Sequence, residues 1–380
     1  MRFRICGLAA ALLLAACAHH APGPRPSIRV TAPPRQAAPS AARPEWPERH
    51  PGPATSAPVE AAPAPLAGGL AALPGWANED HLAALAAAKA ACAATGGTDP
   101  GGVCLRISWL DEPTDAQARE FMERNYRVTP APVAGVLTGY FTPIYEARRS
   151  PDAEFAAPIR PRPADVRRGS NVHATRAQID GWPSDDALAW MRPEDLFFLQ
   201  IQGSGVLVFP EGARLRAVFD CANDQPFSGV ATSMRAEGLL GTDTSGDAIH
   251  AWLASHRGPD AQAVMDLDRR YIFFQLRADD GGPPSGAAGV RLIPGRAVAV
   301  DPSEHRMGEL LWLDADAPLL PGAFPAYHRV AAALDTGSAI KGDARADLYL
   351  GEGEAAGEEA GRIRHTLRLY RLEPVGPTAQ

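Results

Sequence analysis

Three short stretches of the chain alternate apolar and polar residues, and alternate side chains of a strand point to opposite faces. In Arg345-Ala346-Asp347-Leu348-Tyr349-Leu350, Ala346, Leu348 and Leu350 face a core, while Arg345, Asp347 and Tyr349 share the other face. Phe197-Phe198-Leu199-Gln200-Ile201-Gln202 reads the same way, with Gln200 and Gln202 on the polar side. So does Leu137 to Thr142, which offers Thr138, Tyr140 and Thr142. Further short apolar runs divided by Gly, Pro and Asp predict strands at 206–209, 215–219, 271–276, 290–293, 297–300, 310–313, 329–334 and 367–372. Helical periodicity predicts an alanine-rich helix to about Ala93 capped by Asn78, and a second from Thr114 and Asp115 to Asn125. Helices are also expected over 244–256, 260–269 and 354–361, and long surface loops over 143–181. Many short strands with turn signals between them make the chain mainly β, a barrel or a sandwich.

The ends carry a different pattern. Arg2 and Arg4 precede an apolar run from Gly7 to Ala16, too short to span a bilayer, that ends Leu14-Ala15-Ala16-Cys17. This resembles the lipobox of bacterial lipoproteins, with Cys17 as the lipidated residue, and Ala18 resembles an outer-membrane retention signal. Residues 1–17 are then a lipoprotein signal peptide, and the expected location is the outer membrane, facing the periplasm. Residues 18–66 are rich in Pro and Ala and bury no core, so they read as a semi-rigid tether. Roughly 310 residues remain to fold.

Composition narrows the partners. The net charge is -7, and no basic cluster with interleaved aromatics points to nucleic acid. Of the five cysteines, Cys6 and Cys17 belong to the signal. Cys92 and Cys104 are close in sequence and are expected to pair in an exported protein, leaving Cys221 as a buried thiol. No cysteine spacing suits zinc, and His19 and His20 lack further ligands, so no metal and no cofactor is expected. The polar faces of the three alternating stretches supply acid, amide, hydroxyl and phenol. Sugar rings stack on aromatics and bond to amides and hydroxyls, which makes a carbohydrate groove one use of such faces.

Four motifs in order resemble one family. Gly139-Tyr140-Phe141-Thr142-Pro143 is similar to G-Y-[FY]-T-P, and Gln200-Ile201-Gln202-Gly203-Ser204-Gly205 to Q-x-Q-G-S-G. Ala299-Val300-Asp301-Pro302-Ser303 is similar to A-x-D-x-S. Asp335-Thr336-Gly337-Ser338-Ala339-Ile340-Lys341-Gly342 followed by Asp347-Leu348-Tyr349 is similar to D-x-G-G-A-I-K-G…D-x-Y. Their order and spacing resemble MltA-type membrane-bound lytic murein transglycosylases, over about Ala67 to Leu372.

The resemblance implies a double-psi β-barrel with a second β-rich domain inserted in it. Residues 67–141 would form the N-terminal helices and first part of the barrel, 142–258 the insertion, and 259–380 the rest of the barrel. It also implies cleavage of the β-1,4 bond between N-acetylmuramic acid and N-acetylglucosamine in peptidoglycan strands, with formation of a 1,6-anhydro ring. One acid suffices, because the substrate supplies its own nucleophile. Asp347 maps to that catalytic acid, and Asp335 and Asp301 to supporting positions. Thr138, Tyr140, Gln200, Gln202, Ser204 and Tyr349 are the expected sugar contacts. Arg345 opposes a raised Asp347 pKa unless it points away or meets another acid such as Asp343.

Ser338 stands where the family has glycine, and Phe219-Asp220-Cys221-Ala222-Asn223-Asp224-Gln225-Pro226 replaces Y-A-G-x-N-G-x-P. The changed loop keeps an inactive peptidoglycan-binding lipoprotein open as a reading. A hydrolase with Asp335 or Asp301 as second carboxylate stays open too.

Overall fold

The computed structural model describes residues 66–376, apart from 132, 165, 167–171 and 321. The signal segment, the lipidation position Cys17 and almost all of the tether lie outside the described residues. Three helices lead the fold: α1 (His81–Ala94), α2 (Val103–Ser108) and α3 (Asp115–Asn125). Strands β1 (Tyr126–Pro130), β2 (Gly135–Thr142), β3 (Ile144–Glu146) and β4 (Ala157–Ile159) follow, then α4 (Arg176–Asp180), β5 (Ala189–Met191) and α5 (Pro193–Gln202). Next come β6 (Ser204–Val208), β7 (Arg214–Ala222), α6 (Ala231–Ala236), α7 (Gly246–Ser255), α8 (Pro259–Met265) and β8 (Ile272–Ala278). The chain ends with β9 (Ala297–Val300), β10 (Leu310–Pro318), β11 (Tyr327–Thr336), β12 (Arg345–Glu352), α9 (Gly353–Gly361) and β13 (Arg364–Pro374).

Six strands close into a barrel in the order β13-β10-β11-β9-β12-β2, with β2 returning to β13 and β1 added outside β13. The β11–β9 and β12–β2 pairs are parallel and the others antiparallel, the mixed pairing of a double-psi barrel. Strand β10 shows why the sequence reads as it does. Leu311, Leu313 and Ala315 fill the barrel interior, while Leu310 and Trp312 join an outer core with Leu85, Met122 and Trp76 under the N-terminal helices. A strand buried on both faces needs a continuous apolar run rather than an alternating one.

The first helix is capped by Asp80, whose side chain accepts from the Ala83 amide, and not by Asn78, which ends a short 3-10 turn. Asp80 sits one residue before the first helical position, where its carboxylate can meet an orphan amide. A disulfide joins Cys92 on α1 to Cys104 on α2, and Cys221 is a free buried thiol.

The second sheet, β3-β6-β7-β8, carries the inserted region, with α5 to α8 packed beside it. Because β8 pairs along β7, this sheet extends through Ala278, past the boundary at 258 that the sequence suggested. The second correction concerns 196–201, read as a strand and found as helix α5. Its ends decide the matter. Pro193 occupies the first turn with Glu194 and Asp195, and Gly203 closes the helix with φ 80°. The alternating Phe197, Leu199 and Ile201 serve two different cores on two sides of the helix. Residues 290–293 are not a strand either, and contribute one isolated bridge, Ser285 to Arg291.

The disulfide closes a loop of 12 residues between helices that cover the barrel. Cys104→Ser should lower the unfolding free energy by about 2–3 kcal/mol, the scale of chain entropy such a loop removes from the unfolded state. Urea unfolding of oxidised wild type against the variant measures it.

Candidate active site

Barrel register assembles the site. Asp347 on β12 stands opposite Thr138 on β2 and, on its other side, opposite Ala299 on β9. Ala299 in turn stands opposite Asp335 on β11. Residues in register on neighbouring strands project to one face, so Thr138, Asp347, Ala299 and Asp335 form a row across four strands. With strands about 4.8 Å apart, the two aspartate backbones lie roughly 10 Å from each other, with only a methyl group between them.

The row depends on a bulge. The β11–β9 register shifts between Ala333 and Asp335, which leaves Leu334 as an extra residue. Ala331 and Ala333 fill the barrel interior and Leu334 joins the outer core, so strict alternation would turn Asp335 inward. The bulge turns it outward, beside Ala299, as bulges next to active sites do.

The Thr138 hydroxyl donates to Asp347 Oδ1 and accepts from Arg345 Nη2 at 2.8 Å. Arg345 also donates to the carbonyls of Val136 and Ala346. Among the described residues it makes no direct ion pair with Asp347, because Thr138 stands between them. Burial raises the Asp347 pKa above the usual carboxylate range; the Thr138 bond and Arg345 pull it down, and the Asp335 charge pushes it further up.

Asp335 is held by three donors: the Tyr140 hydroxyl at 2.8 Å and the amides of Ala287 at 3.0 Å and Thr336 at 2.9 Å. Burial raises its pKa as well, against those bonds. Tyr140 is braced by Tyr349, with ring centroids 5.3 Å apart, and Tyr349 meets the Thr142 hydroxyl at 3.1 Å.

Asp301 works differently. Its carboxylate accepts from the Gly342 amide at 2.9 Å, the Ser303 hydroxyl at 2.9 Å and the Ser303 amide at 3.2 Å, with Lys341 Nζ at 3.4 Å. These donors hold its pKa well below the usual range, the Gly342 amide foremost, so Asp301 is an ionised staple between two loops. His305 reinforces it. The buried imidazole faces two acceptors, Glu309 Oε2 at 2.8 Å from Nδ1 and the Asp343 carbonyl at 2.7 Å from Nε2. A neutral ring donates only once, so both bonds require the imidazolium. Arg371 closes the cluster by pairing with Glu309 and Asp343. Asp343 is therefore taken by Arg371 and does not meet Arg345.

The structure thus brings together Asp347, Asp335, Thr138, Tyr140 and Tyr349. It corrects two expected sugar contacts. Tyr349 is fully buried and supports Tyr140 from the outer core. Gln200 is also buried, accepting from Arg176 at 2.5 Å and donating to the Ile272 carbonyl at 3.4 Å, so it holds the insertion together. Gln202 and Ser204 flank the turn at Gly203, half-buried, with no bond to the aspartates among the described residues. Gly205 is closely packed there, since a Cβ would sit 2.6 Å from Leu199 Cδ1 and 3.1 Å from the Pro143 carbonyl oxygen.

The sequence departures prove compatible with the backbone. Asp224 keeps a left-handed φ of 56° where the family has glycine, a conformation Asp tolerates better than most residues. Asn223 anchors the loop, accepting from the Tyr271 amide and donating to the carbonyls of Ala174 and Arg269. Cys221 lies in β7 and Ser338 precedes the turn into β12; neither has positive φ. Among the described residues no group of three His, Cys, Asp or Glu side chains could hold a metal ion.

A barrel that aligns two desolvated aspartates, with a third locking its loops and a β-rich domain inserted after β2, defines a three-aspartate barrel protein. Residues 136–275 match the family described as "MltA specific insert domain", and residues 296–373 the family described as "3D domain". The membrane-bound lytic murein transglycosylase A of Vibrio cholerae is 30% identical over 247 residues, 62% of this chain. The match spans 65% of that relative's length. Among solved structures, the lytic transglycosylase LtgG of Burkholderia pseudomallei is 30% identical, covering 82% of this chain and 94% of that one, with a TM-score of 0.57. A membrane-bound lytic murein transglycosylase from Agrobacterium tumefaciens is 29% identical, covering 80% and 96%, with a TM-score of 0.70. MltA of Escherichia coli, solved with bound chitohexaose, is 27% identical, covering 70% and 80%, with a TM-score of 0.58. The chain belongs to the MltA family.

The His305 clasp makes a testable link to pH. Its folded pKa is raised, with burial opposing, Glu309 and the Asp343 carbonyl favouring, and Arg371 opposing the charge. A raised histidine pKa contributes stability that is complete below the ordinary value near 6.5 and is lost as pH rises through the folded value. At pH 6, His305→Gln should destabilise by about 1–2 kcal/mol. The gap from wild type should narrow towards pH 9, as read by denaturant unfolding at both values.

Proposed function

We propose that this chain is a lytic transglycosylase that cleaves the β-1,4 bond between N-acetylmuramic acid and N-acetylglucosamine in peptidoglycan and leaves a 1,6-anhydro end. The observation that carries the reading is the row itself: a desolvated carboxyl, Asp347, with a raised pKa and a second acid, Asp335, two strands away. A carboxylic acid kept neutral near pH 7 can protonate a leaving oxygen. The names of the relatives and the chitohexaose bound to the E. coli protein support a glycan as substrate.

Protonated Asp347 gives its proton to the glycosidic oxygen as the bond from C1 of muramic acid breaks. The C6 hydroxyl of the same sugar then bonds to C1, and its proton passes to the Asp347 carboxylate. The proton count closes, and the acid returns to its starting state. Burial favours the neutral form of Asp347, Asp335 adds a smaller push in the same direction, and Asp335 stays in place through its three donors. Those same donors occupy both Asp335 oxygens, which disfavours a hydrolase in which Asp335 would activate water. Thr138 orients Asp347, and Tyr140, Gln202 and Ser204 are the remaining candidates for sugar contact.

The proposal extends to the ends of the chain. Cys17 carries lipid, residues 18–66 reach from the outer membrane towards the cell wall, and the folded part works in the periplasm.

Asp347→Asn should lower the release of anhydro-muropeptides from purified sacculi by about 10²–10⁴-fold, the usual contribution of a general acid–base. Mass spectrometry of the products reads it, with circular dichroism confirming the fold. Reducing ends in place of anhydro ends would identify a hydrolase. Sacculi bound but uncut by the wild type would identify a binding protein.

A further inference from the structure

Resting on the peptidoglycan reading, we infer that Arg345 and Arg364 form a binding site for a carboxylate of the substrate beside Asp347. Arg364 opens β13 and stands opposite Thr138 in the β13–β2 register. The row Arg364, Thr138, Asp347, Ala299, Asp335 therefore runs across five strands, with a guanidinium at the β13 end. On β13, His365 is buried and Leu367 and Leu369 fill the barrel interior, so Arg364 projects to the outer face that carries the two aspartates. Its side chain is exposed and forms no ion pair among the described residues. Arg345 lies two residues before Asp347 and donates to the same Thr138 hydroxyl that holds it. Burial lowers the Arg345 pKa, the Asp347 charge opposes this, and the Arg364 charge lowers it further.

Several other half-buried or buried arginines pair directly with carboxylates. Arg216 pairs with Asp279 and Glu352, Arg371 with Glu309 and Asp343, and Arg192 with Glu146, Glu154 and Asp195. Among the described residues Arg345 and Arg364 have no such partner; Arg345 donates to the Thr138 hydroxyl that touches the proposed acid, and Arg364 stands in register with Thr138. Two guanidiniums side by side are unfavourable until an anion bridges them, and their planar forks match a carboxylate. A chain of N-acetylglucosamine alone is neutral. Each muramic acid adds a lactyl carboxyl, either free or extended by a peptide that itself carries carboxylates. The site thus separates wall glycan from neutral polysaccharide. Occupancy has a second effect. A bound carboxylate neutralises the cations that draw the proton off Asp347, so the correct substrate favours the protonated acid.

The test compares full-length wild type, Arg364→Ala and Arg364→Lys on three ligands: chitohexaose, denuded glycan strands with free lactyl groups, and peptide-bearing strands. Arg364→Ala should raise KM for carboxylate-bearing strands on the order of tenfold at low salt, with kcat changing less. Arg364→Lys should recover part of the loss, and added salt should shrink it. The Kd for chitohexaose, measured by calorimetry, should hold. A loss on denuded strands assigns the lactyl carboxylate, and a loss confined to peptide-bearing strands assigns the stem. Equal weakening on chitohexaose, or no change on any ligand, overturns the site. If the wild type releases no anhydro sugar, the functional reading fails, and the Kd comparison across the three ligands still decides whether Arg364 recognises a carboxylate.

Discussion

The site depends on barrel closure, because closure fixes register. Six strands returning on themselves leave no freedom to slide, since a slip of one residue would turn every interior side chain outward. Register is what sets Thr138, Asp347, Ala299 and Asp335 in one row. The bulge at Leu334 is the one irregularity the row requires, and it changes which face a single carboxylate meets. Ala299 matters through its size. Any larger side chain there would fill the space between the two acids.

The chemistry follows from an unequal distribution of hydrogen-bond donors. Asp301 receives amides, a hydroxyl and a lysine and is held ionised. Asp335 receives three donors and remains perturbed upward by burial. Among the described residues Asp347 receives only the Thr138 hydroxyl, and burial dominates. One residue type thereby serves as loop staple, electrostatic neighbour and acid–base. His305 and Glu309, before β10, and Arg371, on β13, tie down Asp343, two residues before β12, and so hold the turn from which Asp347 emerges.

The inserted region is joined to this barrel with little slack. Only Pro143 separates β2 from β3, and the Val206 amide donates to its carbonyl at 2.8 Å. Arg216 of β7 reaches Glu352 at the end of β12 and the carbonyl of Gly282. Strand β2, which carries Thr138 and Tyr140, is thus continuous with the junction between barrel and insertion. Inside the insertion, buried Arg176 bonds to Gln200 and to the Asp268 carbonyl, while buried Asn223 separately ties the 219–226 loop to the backbone of Ala174, Arg269 and Tyr271. Buried polar contacts of that kind hold loop shape when every group is satisfied. In the altered 219–226 loop, the three backbone bonds of Asn223 and the left-handed conformation of Asp224 fit the changed sequence to the turn.

Much was legible in the sequence. The two faces of β12 follow from the alternation of Ala346, Asp347 and Leu348, and the start of α3 follows from Thr114 and Asp115. Ordered motifs carried the family and the barrel. Local pattern failed where capping overrode apparent alternation, as in α5, and where a polar residue was committed to an internal partner, as Gln200 is to Arg176. It also failed at Tyr349, whose alternation puts it on the face of Asp347 but cannot say that helices cover that end of the strand. The chain by itself determined which residues can form strands and which acids are present. Tertiary structure alone decided that Asp335 turns outward, that Asp343 is taken by Arg371, and that Arg364 stands in line with Asp347. Those outcomes arise from pairing between strands up to 232 positions apart, as Gly135 is from Leu367 in the β13–β2 ladder, and no local pattern encodes such pairing.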